Sequence, residues 1–236
     1  VTNRYGDTEW SIPDAGTRSA LMSDYDIAIP IERTDLAKLL ANPQGDYLQR
    51  ALAAMQRKKD KVIYDAIRGA ALRKTDESGT FSGVSLSGSQ VIAAGGTGMT
   101  KAKIITAKKQ FRTNEADEHN GEELYIAYDA GMMEDILSDT TLTSADYMAA
   151  KMLQEGDISG KWLGFNWVPY EALTGTSTKT TVAWAKTGVH VGTGENVTTD
   201  IGPRRDKRNL IQIYVAMSLG SVRVNELKAM TIDYVV

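Results

Sequence analysis

The chain has 236 residues, with 27 basic and 30 acidic side chains, a formal charge of −3 and 42% apolar content. That length allows one large or two smaller domains with a substantial core, and the charge argues against a chain built to grip nucleic acid by neutralising phosphates. Cysteine is absent, which removes disulfides, thiolate catalysis and cysteine-ligated zinc and fits a reducing compartment. No apolar run approaches the roughly 18 residues of a membrane span. No signal peptide is visible, and Val1 in place of methionine fits a leading segment removed or left out.

Residues 1–31 are thin in apolar side chains until Ile27–Ile31. An arm or hairpin turning near Asp14-Ala15-Gly16 is expected, and it needs another surface to order it. Thr34 or Asp35 can start a short helix over Leu36–Leu40 that stops before Pro43. The dominant element is Asp46–Lys74. Leu48, Leu52, Met55, Val62, Ile63, Ala66, Ile67 and Ala70 recur at helical spacing. Asp46 and Gln49 make a capping-box variant, and at 1.5 Å per residue the helix would be about 40 Å long. Arg50, Arg57, Lys58, Lys61, Asp65, Arg68 and Arg73 mark its wet face.

Beyond it, Val84, Leu86 and Val91-Ile92 suggest short strands in a polar stretch. Gly95-Gly96-Thr97-Gly98 fails as a phosphate loop, because Thr100 stands where a glycine must precede Lys101. Thr100 as the cap of a second helix fits better. Glu123–Tyr128 reads as a strand, and Asp129 caps a helix through Met132, Met133, Ile136 and Leu137. Another helix is expected from Thr143 through Tyr147, Met148, Lys151 and Met152. Residues 160–170 form a glycine-punctuated strand, and from Thr180 the chain reads mostly as strand. Val222–Tyr234 alternates as half-buried sheet. Gly220, where two apolar runs meet, reads as a bend inside one long element.

The search for chemistry returns little. His119 and His190 are isolated, and Glu123 replaces the second histidine of an H-x-x-E-H zinc motif begun by His119. No G-x-S-x-G elbow exists. Asn196-Val197-Thr198 is a glycosylation triplet by letter alone. The one dense basic cluster is Arg204, Arg205, Lys207 and Arg208, interrupted by Asp206 and without nearby aromatics. It reads as a turn between strands, bonded to acidic groups of its own or a neighbouring chain, more than as a nucleic-acid platform. No catalytic, cofactor-binding or metal residue is assigned.

The second half carries an ordered series of features. These are the Leu163-Gly164-Phe165-Asn166-Trp167 strand, the Ala183-Trp184 opening, Val197–Thr199, Arg205-Asp206-Lys207 and the run YVAMSLGSVR from Tyr214 to Arg223. Before the long helix with Lys59-Asp60 stand Asp35-Leu36, Asn42-Pro43 and Tyr47. Over residues 26–236 this series resembles the major capsid proteins of tailed bacteriophages.

The resemblance implies an α+β Hong Kong 97-type capsid fold and no enzyme activity. Residues 1–31 would be an extended loop and N-terminal arm. Residues 32–120 and 201–236 would be a peripheral domain with a spine helix at 46–74, and 121–200 an axial domain. Trp10, Ile12, Leu21, Arg204, Arg205, Lys207 and Arg208 are the expected inter-subunit contacts. Pentamers and hexamers would close an icosahedral head around double-stranded DNA, bound without sequence specificity. Portal, scaffolding and decoration proteins are the implied partners, with assembly in the host cytoplasm and no membrane. No lysine precedes Lys38, so crosslinking through an extended-loop lysine is not expected. An encapsulin-like shell with enzyme cargo is the alternative, and an unrecognised hydrolase the third reading.

Overall fold

The computed structural model describes residues 16–32, 44–75, 79–138 and 161–236. Trp10, Ile12, the turn at Asp14-Ala15 and the helices expected near residues 36–40 and 143–152 lie outside them. The strands are β1 (Thr17–Ser19), β2 (Ser23–Ile31), β3 (Ala71–Lys74), β4 (Ser82–Val84), β5 (Val91–Ile92), β6 (Leu124–Tyr128), β7 (Lys161–Trp162), β8 (Phe165–Pro169), β9 (Thr178–Ala185), β10 (Val189–Arg204), β11 (Leu210–Arg223) and β12 (Ala229–Val235). The helices are α1 (Gln44–Arg68), α2 (Lys101–Thr113) and α3 (Ala130–Ser138).

Helix α1 joins two cores. Its first half buries Ala51 and Met55 on Ile213, Val215, Met217 and Leu219 of β11. Its last turns bury Tyr64 and Ile67 in the larger core of the six-stranded sheet. The long periodic helix is therefore present, but it ends at Arg68 and not at residue 74. The cause lies far away in sequence. Arg223 donates to the carbonyls of Ile67 (2.6 Å) and Gly69 (2.7 Å), the acceptors a continued helix would need. Ala71–Lys74 then pairs with β1 and β4.

Three sheets result, ordered β1-β3-β4, β10-β11-β2 and β5-β12-β9-β6-β8-β7. Residues 16–31, expected to need a foreign surface, find one in their own chain: β1 on β3 and β2 along Ile211–Leu219 of β11. The stretch 189–204 is one 16-residue strand, with register shifts at Thr193/Glu195 and Glu195/Thr198. Val222–Tyr234 is not a single half-buried strand. Strand β11 stops at Arg223, Asn225 caps a short turn by accepting from the Leu227 amide at 2.9 Å, and β12 is buried on both faces. Helices α1 and α2 both pack against it, while β5 and β9 pair along its two edges. Sheet membership also crosses the expected boundary at Asp200, since β10 runs through it and β12 lies in the six-stranded sheet.

Asp129 caps α3 as expected, accepting from the Met132 amide at 2.8 Å. It also accepts from the Tyr234 hydroxyl at 2.6 Å and pairs with Lys179. Burial pushes its carboxyl up, but the Lys179, Tyr234 and Met132 bonds outweigh that and hold it below the usual range. A depressed folded pKa contributes stability that is present above the unfolded value of about 3.9 and lost as pH falls through the folded one. Asp129→Asn should therefore cost about 3 kcal/mol at neutral pH, with the difference from the parent closing in acid. Urea unfolding across the acid range measures this; parallel parent and variant curves would refute the charge's role.

Candidate assembly surface

The basic cluster forms the tip of the β10–β11 hairpin. The Lys207 amide donates to the Arg204 carbonyl (3.2 Å) and Leu210 to that of Lys207 (3.1 Å). Arg208 and Asn209 close the turn at φ 52° and 54°, left-handed backbone that asparagine tolerates well. Arg204 is exposed but engaged within its own hairpin. It makes two bonds to Asp206 (2.8 and 2.7 Å) and one to Gln212 (2.9 Å). Those bonds hold the Asp206 carboxyl at about 2. Of the own-chain and neighbour options, Arg204 thus takes the first. The side chains of Arg205, Lys207 and Arg208 are exposed and make no hydrogen bond or ion pair among the described residues, although Lys207 lies in the field of Asp206.

Leu21 is 71% exposed and Met22 50%, in the link between β1 and β2. The link is pinned from below: a Cβ on Gly220 would stand 2.5 Å from the Leu21 carbonyl oxygen. Three residues that hold this region escaped the sequence. Arg18 pairs with Glu226 through both guanidinium nitrogens, and Arg223, placed on the wet side of an alternating strand, is fully buried. Only the length of the apolar runs on either side of Arg223 hinted at burial.

Lys103, after the glycine loop, donates to the carbonyls of Thr97 (2.9 Å), Gly98 (2.8 Å) and Asp233 (3.1 Å). Burial lowers its pKa, partly opposed by Asp135 and Asp233. Its ammonium ties a loop to a sheet and is not presented to a phosphate. Thr100 caps α2 as expected, accepting from the Lys103 amide. His119 and His190 are exposed, and no metal-holding group of acidic residues and histidines occurs among the described residues. A shallow apolar groove between α1 and the six-stranded sheet is lined by Ile63, Ile67, Val168, Tyr170, Val182 and Trp184 among others. Burial pushes the Tyr170 hydroxyl up to about 12, and it has no hydrogen-bond partner among the described residues.

A long helix lies on a three-stranded sheet, with the six-stranded sheet at its end and a basic hairpin tip beyond. The same architecture recurs in a solved structure from Mycobacterium phage Che8, with TM-score 0.68 at 16% identity, covering 89% of this chain and 70% of that one. It recurs in the acidic stable capsid of Helicobacter pylori bacteriophage KHP30, with TM-score 0.63 at 8% identity over 92% and 76%. The holo-SrpI encapsulin complex of Synechococcus elongatus PCC 7942 matches with TM-score 0.58 at 10% identity over 95% and 83%. No curated relative matches the sequence. The family model for phage capsid proteins matches residues 1–236, so the chain belongs to the phage capsid protein family. It is a major capsid shell protein, a virion component that self-associates, and the encapsulin alternative is not favoured. No helix among the described residues is long and apolar enough to cross a membrane.

Proposed function

We propose that this chain builds the icosahedral head of a tailed phage from pentamers and hexamers, enclosing double-stranded DNA without reading its sequence. Its work is contact between subunits and not catalysis. Portal and scaffolding proteins, and a decoration protein where one is used, are its further partners, and assembly takes place in the host cytoplasm. The family match over the whole chain carries this reading. Electron microscopy of the purified chain tests it: closed shells are expected, and a chain that stays monomeric under all assembly conditions would overturn it.

Within the subunit, α1 with β2, β10 and β11 serves as the peripheral domain, because the spine helix lies on that sheet. The six-stranded sheet with α2 and α3 serves as the axial domain, and its strands include the last one, β12. Trp10 and Ile12, in the segment before Gly16, contact neighbouring subunits, as does Leu21.

The hairpin tip serves protein contacts and not genome binding, since Asp206 already neutralises Arg204 and the chain as a whole is acidic. Replacing Arg205 and Lys207 together by Ala should lower shell yield while changing subunit stability by only about 0.5 kcal/mol. Sedimentation of assembled and unassembled fractions reads this directly. Shells formed at the parent's yield but retaining less DNA would reverse the assignment.

A further inference from the structure

Six residues of main chain, from Gly16 to Leu21, are held at three points. At Gly16 a Cβ would stand 2.9 Å from the Nε of Arg73, so the backbone lies directly against β3. At Leu21 the main chain presses on Gly220 of β11. Between them Arg18 reaches Glu226, with its second nitrogen 2.6 Å from the carboxylate. Both side chains are mostly buried, 13% and 18% exposed. The Glu226 carboxylate also lies 3.9 Å from the Nε of Arg223, a buried nitrogen with no hydrogen bond of its own. One carboxylate thus balances two guanidinium groups from opposite ends of the chain. The Glu226 main chain is fixed in turn, its carbonyl accepting from Gln90 at 3.0 Å.

Strand β1 is only three residues long and, among the described residues, pairs with β3 alone. Three residues of ladder on one side do not hold a strand by themselves. We infer that Arg18 and Glu226 are positioning residues for assembly: their ion pair clasps β1 to the turn between β11 and β12 and so fixes the main chain at Gly16, through which any neighbour contact made by residues 1–15 is anchored to the subunit. This rests on the proposal that the segment before Gly16 contacts neighbours. A segment anchored at a fixed point meets a neighbour at one place. A segment anchored to an unclasped β1 has no fixed point, and the ordering cost then falls on the contact itself.

Burial pushes the Glu226 carboxyl up, but the Arg18 bonds and the two guanidinium charges outweigh this and keep it below the usual range. The clasp is therefore ionised wherever the carboxylates of the unfolded chain are.

The test uses the full chain. Arg18→Ala and Glu226→Gln should each speed amide exchange in residues 16–23 on the order of tenfold, the factor expected from losing a charge-assisted bond. Exchange in α1 and β12 should stay at the parent's rate. Shell yield should fall by a similar factor, and Arg18→Lys, which keeps the charge, should recover much of it. Unchanged exchange in residues 16–23 would overturn the clasp. Fast exchange there with undiminished shells would overturn its role in assembly. A chain carrying Trp10→Ala and Ile12→Ala separates the underlying premise: normal shells from that chain would sink the neighbour contacts of the segment, whatever the clasp variants do.

Discussion

Replacing Arg223 by methionine should lower subunit stability by about 3–5 kcal/mol, a fall in thermal midpoint on the order of 10 °C. The guanidinium is fully buried and donates to three main-chain carbonyls: Ile67, Gly69 and, at 2.8 Å, Val84. Replacing a buried ion pair with apolar groups is often harmless when both partners leave together. Here the acceptors belong to the backbone and cannot be removed. Methionine would take the guanidinium donor from the buried Ile67 carbonyl and the part-buried ones of Gly69 and Val84, and leave Glu226 with one cation fewer. Two of the carbonyls end α1, so the damage should concentrate where the helix hands over to β3. Arg223→Lys keeps the charge but replaces two separate terminal nitrogens by one, so it cannot serve both the Ile67 and Gly69 carbonyls and that of Val84, and should lose nearly as much. Calorimetry of unassembled subunits decides; a methionine variant within about 1 kcal/mol of the parent would show that water replaces the guanidinium at no great cost.

The elements governed by local rules were legible in the sequence. Helix α1 follows from an apolar stripe, Thr100 and Asp129 from their capping positions, and the tip of the β10–β11 hairpin from a polar basic run between apolar ones. What stayed hidden depends on partners far away in the chain. The end of α1 is set by Arg223, more than 150 residues later. The alternation of Val222–Tyr234 suggested one exposed face, but no periodicity reveals that two helices pack on β12. Arg18 and Glu226 are 208 residues apart, and each alone looks like a solvated charge. The candidate contacts divide in the same way. A cluster such as Arg204–Arg208 is visible as composition, whereas the internal use of Arg204 by Asp206 and Gln212 needs the turn's geometry.

Gly220 reads in the sequence as a bend inside one long element. The element is indeed one long strand: β11 continues through Gly220, which pairs in register with Gly192 of β10, and its φ is not positive. Extended backbone of this kind suits a β-branched residue, so local conformation alone would favour Gly220→Val. The obstacle is the chain above. A Cβ would stand 2.5 Å from the Leu21 carbonyl oxygen, 2.9 Å from its carbon and 3.2 Å from the Met22 Cα. These are backbone atoms and cannot swing aside as a side-chain tip can, so residues 20–22 must lift off β11. Gly220→Val should therefore destabilise the subunit by about 2–3 kcal/mol and speed exchange in residues 16–23. The particles it forms should be malformed or open, because every subunit carries the same displacement. Gly192→Val is the internal control. It lies directly across the ladder, yet its Cβ would meet nothing closer than 3.9 Å. It should be nearly neutral, with shells of normal shape. Stability and electron micrographs of the two variants, taken side by side, isolate the contact from any general intolerance of valine in this hairpin. If the two valines behave alike, the close approach of Leu21 to Gly220 does not constrain the shell.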